Sequence, residues 1–335
     1  MYIFLIAYSL LIIPLLNKRF HKVVIYCSAI LFILFIICNR DPMAATDSFK
    51  YIDVVEGKEI YMRNISPVLG LLSDFFHNFI GLDTITTIQL ISLVPIICVF
   101  ISTIILELPI LLPIFLSSET FVLLSFNGVR QGLSIGFLSL ALSILIKGVL
   151  EQENKISLNK YSLVTLFLIL AATSHGASII YIASSSSIFI LNKFKHTFQT
   201  FKIKKDLLIS TLVSLIILFI AITLGKSLFL GIFTRISNTF ISMDINNIVQ
   251  TGDGFGQSHK NAIYRFTILS IIYLYTLIKT SKYEVYGKIK STLHLLYGSF
   301  LPIILFTFAL PAYILSRFSH FYIIPIFLSI YYLNK

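Results

Sequence analysis

Long apolar runs, cut by short polar stretches, set the pattern of this chain. The runs at 2–16, 22–38, 85–106, 109–125, 131–147, 161–174, 176–191, 207–224, 265–279, 291–310 and 317–333 predict about eleven membrane-crossing helices. The pair 161–174 and 176–191 is separated only by the break Thr173-Ser174-His175-Gly176. Basic residues flank both sides of that pair, so an even number of crossings lies between them. The pair reads as two short spans or as one re-entrant hairpin, and irregular backbone at membrane depth is tolerated only against protein or a watery cavity. Residues 66–81 follow a different pattern and predict an amphipathic helix, with Ser66 as its cap and Pro67 in its first turn. Gly70, Ser73, Asp74, His77, Asn78 and Gly81 form one face; Leu71, Leu72, Phe75, Phe76, Phe79 and Ile80 form the other. Such a helix is expected to lie flat on the outer leaflet.

Composition agrees with an all-α polytopic membrane protein: 57% of residues are hydrophobic and the mean hydropathy is +0.91. The expected organisation is one integral membrane domain over 1–335, with no separate soluble domain. Basic loops at 148–160, 192–206 and 280–290 mark the cytoplasmic side, and outer loops occupy 39–84 and 225–264. The N-terminus is expected outside and the C-terminus in the cytoplasm, with no cleavable signal peptide. Counted this way, the inner side holds fifteen lysines and one arginine against five acids, a net of +11. The outer side holds six arginines and four lysines against ten acids, a net of zero. The formal charge of +11 therefore reflects membrane orientation and gives no reason to expect nucleic acid.

The two cations are thus sorted. Lysine orients the chain, while arginine, the better bidentate partner for phosphate, collects outside. Arg130, Arg265 and Arg317 fall at the outer starts of predicted helices, beside free backbone N–H groups and a positive dipole end. An anion there is attracted by both; the bland alternative is an arginine reaching to lipid headgroups. Arg40 is followed by Asp41, Asp47, Tyr51 and Asp53, where Asp47 or Asp53 is a candidate general base and the alternative is pairing with Arg40, Lys50 or Arg63. His175, at the break, is a candidate for phosphate binding or proton transfer, against a capping role. Gly128, Gly132 and Gly136 recur at every fourth residue as a close-packing face. The run Thr251-Gly252-Asp253-Gly254-Phe255-Gly256 suits a lid. The remaining histidines lack metal-ligand spacing and there is no HExxH or DxD, so neither metal nor cofactor is expected.

These residues carry a resemblance. Arg40 with Thr46-Asp47 and Tyr51 resembles the R-x(n)-TD-x(3)-Y stretch of EpsG-family and Wzy-type polysaccharide polymerases. The segment from Asn127 through Arg130-Gln131 to Leu133 resembles their N-x-x-RQ-G element. Ala171 to Ser178 resembles their alanine-rich run ending in histidine, and Arg317-Phe318 with Tyr322 their terminal element. The resemblance implies a GT-C-like glycosyltransferase in the bacterial inner membrane. It would polymerise undecaprenyl-diphosphate-linked oligosaccharide repeat units at the outer face, that lipid-linked glycan being both donor and acceptor. In that reading Arg130, Arg265 and Arg317 hold diphosphate and Arg40 orients substrate. Asp47 or His175 assists proton removal, and Asn127, Gln131, Tyr51, Asp53 and Tyr322 support the site. Membrane lipids, a flippase and a chain-length regulator are the other candidate partners. The competing readings are a transferase of single lipid-linked sugars, a glycan ligase, or a non-enzymatic flippase of lipid-linked oligosaccharide.

Overall fold

The computed structural model describes residues 26–27, 31, 48–109, 111–116, 128–150, 158–179, 181–183, 257–282, 286–298 and 319–333; its regular elements are all helical, with no strand among the described residues. The chain forms two compact units, Met1–Ile179 and Ile180–Lys335.

In the first unit, the short helices α1 (Ser48–Val55), α2 (Ile60–Ile65) and α3 (Pro67–Ser73) lead through a π-helical turn, Asp74–Phe79, to α4 (Thr84–Ile105). Then come α5 (Leu111–Leu116), α6 (Val129–Leu145, extended by a π turn to Leu150) and α7 (Leu158–Ser174). The observed α4 matches the expected span 85–106 to within a residue. Asp83 starts it: its backbone is extended, and its carboxylate accepts the Thr86 N–H at 3.0 Å. Two buried serines within these helices turn their hydroxyls onto their own backbone. Ser92 donates to Ile88 O and Ser143 to Ser139 O, both at 2.8 Å, which satisfies them without water.

Three contacts set the direction of α6 against α4. Ile88 and Val129, near the two starts, line one small cavity. At mid-length, Gly136 meets Pro95 so closely that a Cβ on the glycine would lie 2.6 Å from the proline Cα. At the far ends Glu107, in the left-handed region at φ 57°, pairs with Lys147. The two helices are therefore parallel, and the expected glycine face serves at Gly136 to bring two backbones together. The Phe167 ring of α7 stacks on Phe137 at 6.4 Å, and with only seven residues between Leu150 and Leu158, α7 returns antiparallel. Arg130 and Lys147 are seventeen residues apart on α6, about 25 Å at 1.5 Å per residue, near the depth of a bilayer core.

The segment from α2 to Ile80 is inverted relative to a water-soluble surface. Gly70 and Ser73, from its small and polar face, are buried, whereas Leu71 (68%), Phe75 (49%) and Phe79 (82%) are exposed. Pro67 occupies the first turn of α3 as expected. Ser66 does not cap α3 with its side chain; its hydroxyl instead donates to Ser174 O at 2.8 Å, tying this segment to the end of α7. Tyr26 meets Phe100 edge-on at 5.2 Å, placing that part of the second expected span beside α4.

In the second unit, α8 (Gln257–Thr280), α9 (Tyr286–Gly298), a 3-10 turn (His320–Tyr322) and α10 (Ile323–Leu333) pack around aromatic rings. Tyr181 stacks on Phe321 at 5.6 Å and donates its hydroxyl to Leu296 O at 2.8 Å. The Tyr297 hydroxyl lies 2.7 Å from Ser329 Oγ. One boundary moves: α8 begins at Gln257, eight residues before the expected start at 265. Residues 257–264, placed in the outer loop by their polarity, are the first two turns of this helix. The expected spans 2–16 and 207–224, most of 22–38, and the Gly-rich run 251–256 lie outside the described residues. Two described helices, Thr84–Ile105 and Val129–Gly148, are long and apolar enough to cross a membrane, and Tyr161–Ser174 and His320–Leu333 are shorter apolar helices.

Candidate functional site

Helix register gathers the candidate residues of the first unit at one end. Seven residues before Phe137 is Arg130; seven after Phe167 is Ser174. Since α6 and α7 are antiparallel, Arg130 and the Ser174-His175 break stand at one level. The cavity that Val129 borders is also lined by Tyr51 and Val55 of α1, Leu69 of α3 and Ile88 and Ile91 of α4. Tyr51, three per cent exposed, is thus packed beside the residue that precedes Arg130. Two stretches about eighty residues apart in sequence converge here.

Arg130 lies in the first turn of α6. Gly128 precedes the helix at φ −116°, ψ 46°, its carbonyl accepting Gly132 N–H at 2.8 Å, so the N–H groups of the first turn have no partner within the helix. That turn contains no acid, and a cation at this dipole end costs about 0.3–1 kcal/mol. The arginine is half-buried, and its Nε is enclosed with no hydrogen-bond partner among the described residues. Ser134 Oγ, one turn on, and Thr87 Oγ1, in the first turn of α4, are in the same condition. Each such group costs about 1–3 kcal/mol. Three of them lie in the first two turns of two parallel helices; Asp83 caps α4, whereas the first turn of α6 carries no acid, and an oxyanion there would relieve Arg130. Sequence reading passed over Thr87 and Ser134, because a lone hydroxyl in an apolar run is ordinarily satisfied by its own helix.

His175 does cap. Its Nδ1 accepts the Ala177 N–H at 3.1 Å, and its carbonyl accepts Ser178 N–H at 3.0 Å, starting the next helical turn. An Nδ1 used as acceptor leaves the ring hydrogen on Nε2. In this geometry the Nε2 edge of the ring is a donor, suited to an anion. Gln131 is buried beside Arg130.

Asp53 is half-buried at the end of α1, its carbonyl accepting the N–H groups of Lys58 and Glu59. Arg63, one of the expected partners for the loop acids, is committed to Asp74 at 2.9 Å and to the Val54 and Val55 carbonyls at 2.8 and 3.5 Å. It ties the last turn of α1 to the π turn and is a structural strut. On the loop itself, Lys58 and Glu56 pair, which lowers the Glu56 carboxyl below its usual range.

In the second unit, Arg265 and Tyr322 are brought together: the guanidinium carbon lies 5.9 Å from the centre of the tyrosine ring. Arg265 Nη1 also donates to Ser319 Oγ at 2.8 Å, and the arginine is only 6% exposed. Because α8 starts at Gln257, Arg265 sits two turns inside its helix rather than at the N-terminus expected from sequence. Arg40, Asp47, Asn127 and Arg317 lie outside the described residues. No group of three or more His, Cys, Asp or Glu able to hold a metal occurs among the described residues.

Described residues that are helical throughout, two of their helices apolar and long enough to cross a bilayer, define a helical membrane protein. The EpsG family matches residues 23–335, nearly the whole chain, and the protein belongs to that family, which is associated with polysaccharide polymerase-like proteins. No curated protein and no solved structure matches the chain.

Proposed function

We propose that this protein polymerises oligosaccharide repeat units carried on a lipid diphosphate, undecaprenyl diphosphate, at the outer face of the bacterial inner membrane. Family membership supports a polymerase-type role in polysaccharide synthesis. The observation that carries the finer reading is Arg130: a cation with an enclosed, unpartnered Nε at an acid-free helix start. In the reaction, a hydroxyl oxygen of the incoming unit bonds to the anomeric carbon of the growing chain. The bond from that carbon to the diphosphate oxygen breaks, and the lipid diphosphate leaves with the electron pair. The leaving group needs positive charge rather than a proton. Arg130 and the α6 N–H groups supply it, and preorganised donors of this kind are worth several kcal/mol in a low-dielectric site; Arg265 and Arg317 are assigned to diphosphate oxygens of the lipid-linked substrates. The His175 Nε2–H adds a donor, Arg40 orients substrate, and Asp47 receives the hydroxyl proton. Tyr51, Gln131, Asn127, Asp53 and Tyr322 hold these groups in place.

The test is incubation of the purified protein with one synthetic undecaprenyl-diphosphate repeat unit, followed by sizing of the glycan. A ladder of products, lost in Arg130→Ala and weak in Arg130→Lys, is the expected result. Products that stop after one addition, at two units, point to a single-step transferase. Unaltered chain growth in Arg130→Ala refutes the assignment.

A further inference from the structure

His320 received no role from the sequence, because it matches no ligand spacing. In the folded chain it is 8% exposed, and its Nδ1 is enclosed with no hydrogen-bond partner among the described residues. Its neighbour Ser319 is fully buried and accepts from Arg265, and the imidazole lies within electrostatic reach of that guanidinium. The Tyr322 ring closes another side of the cation. A buried polar atom without a partner is destabilising, and one set next to a buried cation is unusual in a purely packed core. An oxyanion reconciles the two, since it accepts simultaneously from a guanidinium, a serine hydroxyl and an imidazole N–H. The stretches 257–282, 286–298 and 319–333 contain no Asp or Glu, so any acid at this cluster comes from a ligand or from another part of the chain.

Building on the polymerase reading, we propose that His320 is a substrate-binding residue that completes, with Arg265 and Ser319, an oxyanion subsite within the second unit. Its ligand is a phosphoryl or carboxylate group of the lipid-linked glycan. A reaction in which donor and acceptor both carry lipid diphosphate has use for two such centres.

Calorimetry on the full-length protein in detergent tests this, with inorganic diphosphate and, separately, glucuronate as probes. Wild type is expected to bind diphosphate at two sites, and Arg130→Ala at one. His320→Ala and His320→Phe weaken the second site about tenfold, the worth of a hydrogen bond to a charged group. His320→Asn, whose amide occupies the Nδ1 position, recovers most of it. Binding of glucuronate at the site in place of diphosphate supports the subsite and names the acidic sugar as its source. If His320→Phe melts higher than wild type and binds both probes unchanged, the ring is packing alone and the proposal falls. Anion binding is read without turnover. Failure of the glycan ladder with His320-dependent binding intact therefore sinks the polymerase reading while leaving the subsite standing.

Discussion

Substituting Gly136 by alanine perturbs a place where two described spans meet backbone to backbone. The added Cβ would sit 2.6 Å from Pro95 Cα and 3.1 Å from both its Cβ and its carbonyl oxygen. Carbon atoms rest at about 3.5–4.0 Å, so α4 and α6 must part by about 1 Å. Neither neighbour can rotate away, because both are main chain or ring. Overpacking of this kind costs about 1–3 kcal/mol. The alanine regains up to about 1 kcal/mol in helix propensity, leaving a net loss centred on about 1 kcal/mol. The same shift displaces Arg130, six residues away on α6, and a 1 Å misplacement of a binding group is worth about a hundredfold in rate. The assay is thermal unfolding in detergent alongside product sizing. Gly176→Ala serves as control: its Cβ meets nothing within 4 Å and its φ is ordinary, so it should melt at or slightly above wild type. A Gly136→Ala protein that melts with the control and keeps full activity would refute the close-contact argument.

Replacing Arg63 by alanine removes three contacts and frees the end of α1; the side chains of the Arg63–Asp74 pair are 22% and 46% exposed, so screening limits the loss to about 1–2 kcal/mol. Faster proteolysis between Val55 and Ile60 is the readout, and an unchanged cleavage rate contradicts the strut. Asp83 has a carboxyl lowered from 3.8 by the Thr86 hydroxyl and then the Thr86 N–H. Its contribution to α4 is therefore present above pH 3.8 and lost as pH falls through the lower folded value. Stability below about pH 4 should drop more steeply in wild type than in Asp83→Ala, and parallel curves contradict the cap. The chain has no tryptophan, so Phe79→Trp makes a single reporter on the apolar face; quenching by lipids brominated near the headgroup is expected, and quenching only by aqueous iodide places that face in water.

Much of the fold could be read directly. α4 and the core of α6 appear at their predicted positions because twenty apolar residues between polar ends admit few alternatives, and caps such as Asp83 are local. The amphipathic segment after Ser66 and the packing role of Gly136 were likewise legible from periodicity. The start of α8 was not, since residues 257–264 are polar and polarity alone does not distinguish a loop from a helix that projects beyond the bilayer. Nor was the fate of Ser66, which left its own helix for a carbonyl 108 residues away.

What one dimension determined was the class: apolar runs that form helices in a membrane protein; the sorting of lysine from arginine across the membrane is the expectation it adds. Which polar groups lie together was decided in three dimensions. Only the parallel packing of α4 and α6 and the antiparallel return of α7 bring Tyr51, Arg130 and His175 to one end of the first unit, and only packing buried His320 beside Arg265. Burial and neighbours, unlike hydropathy, are sums over distant segments, and they set whether a cation is a strut, like Arg63, or keeps an enclosed Nε without a partner among the described residues, like Arg130.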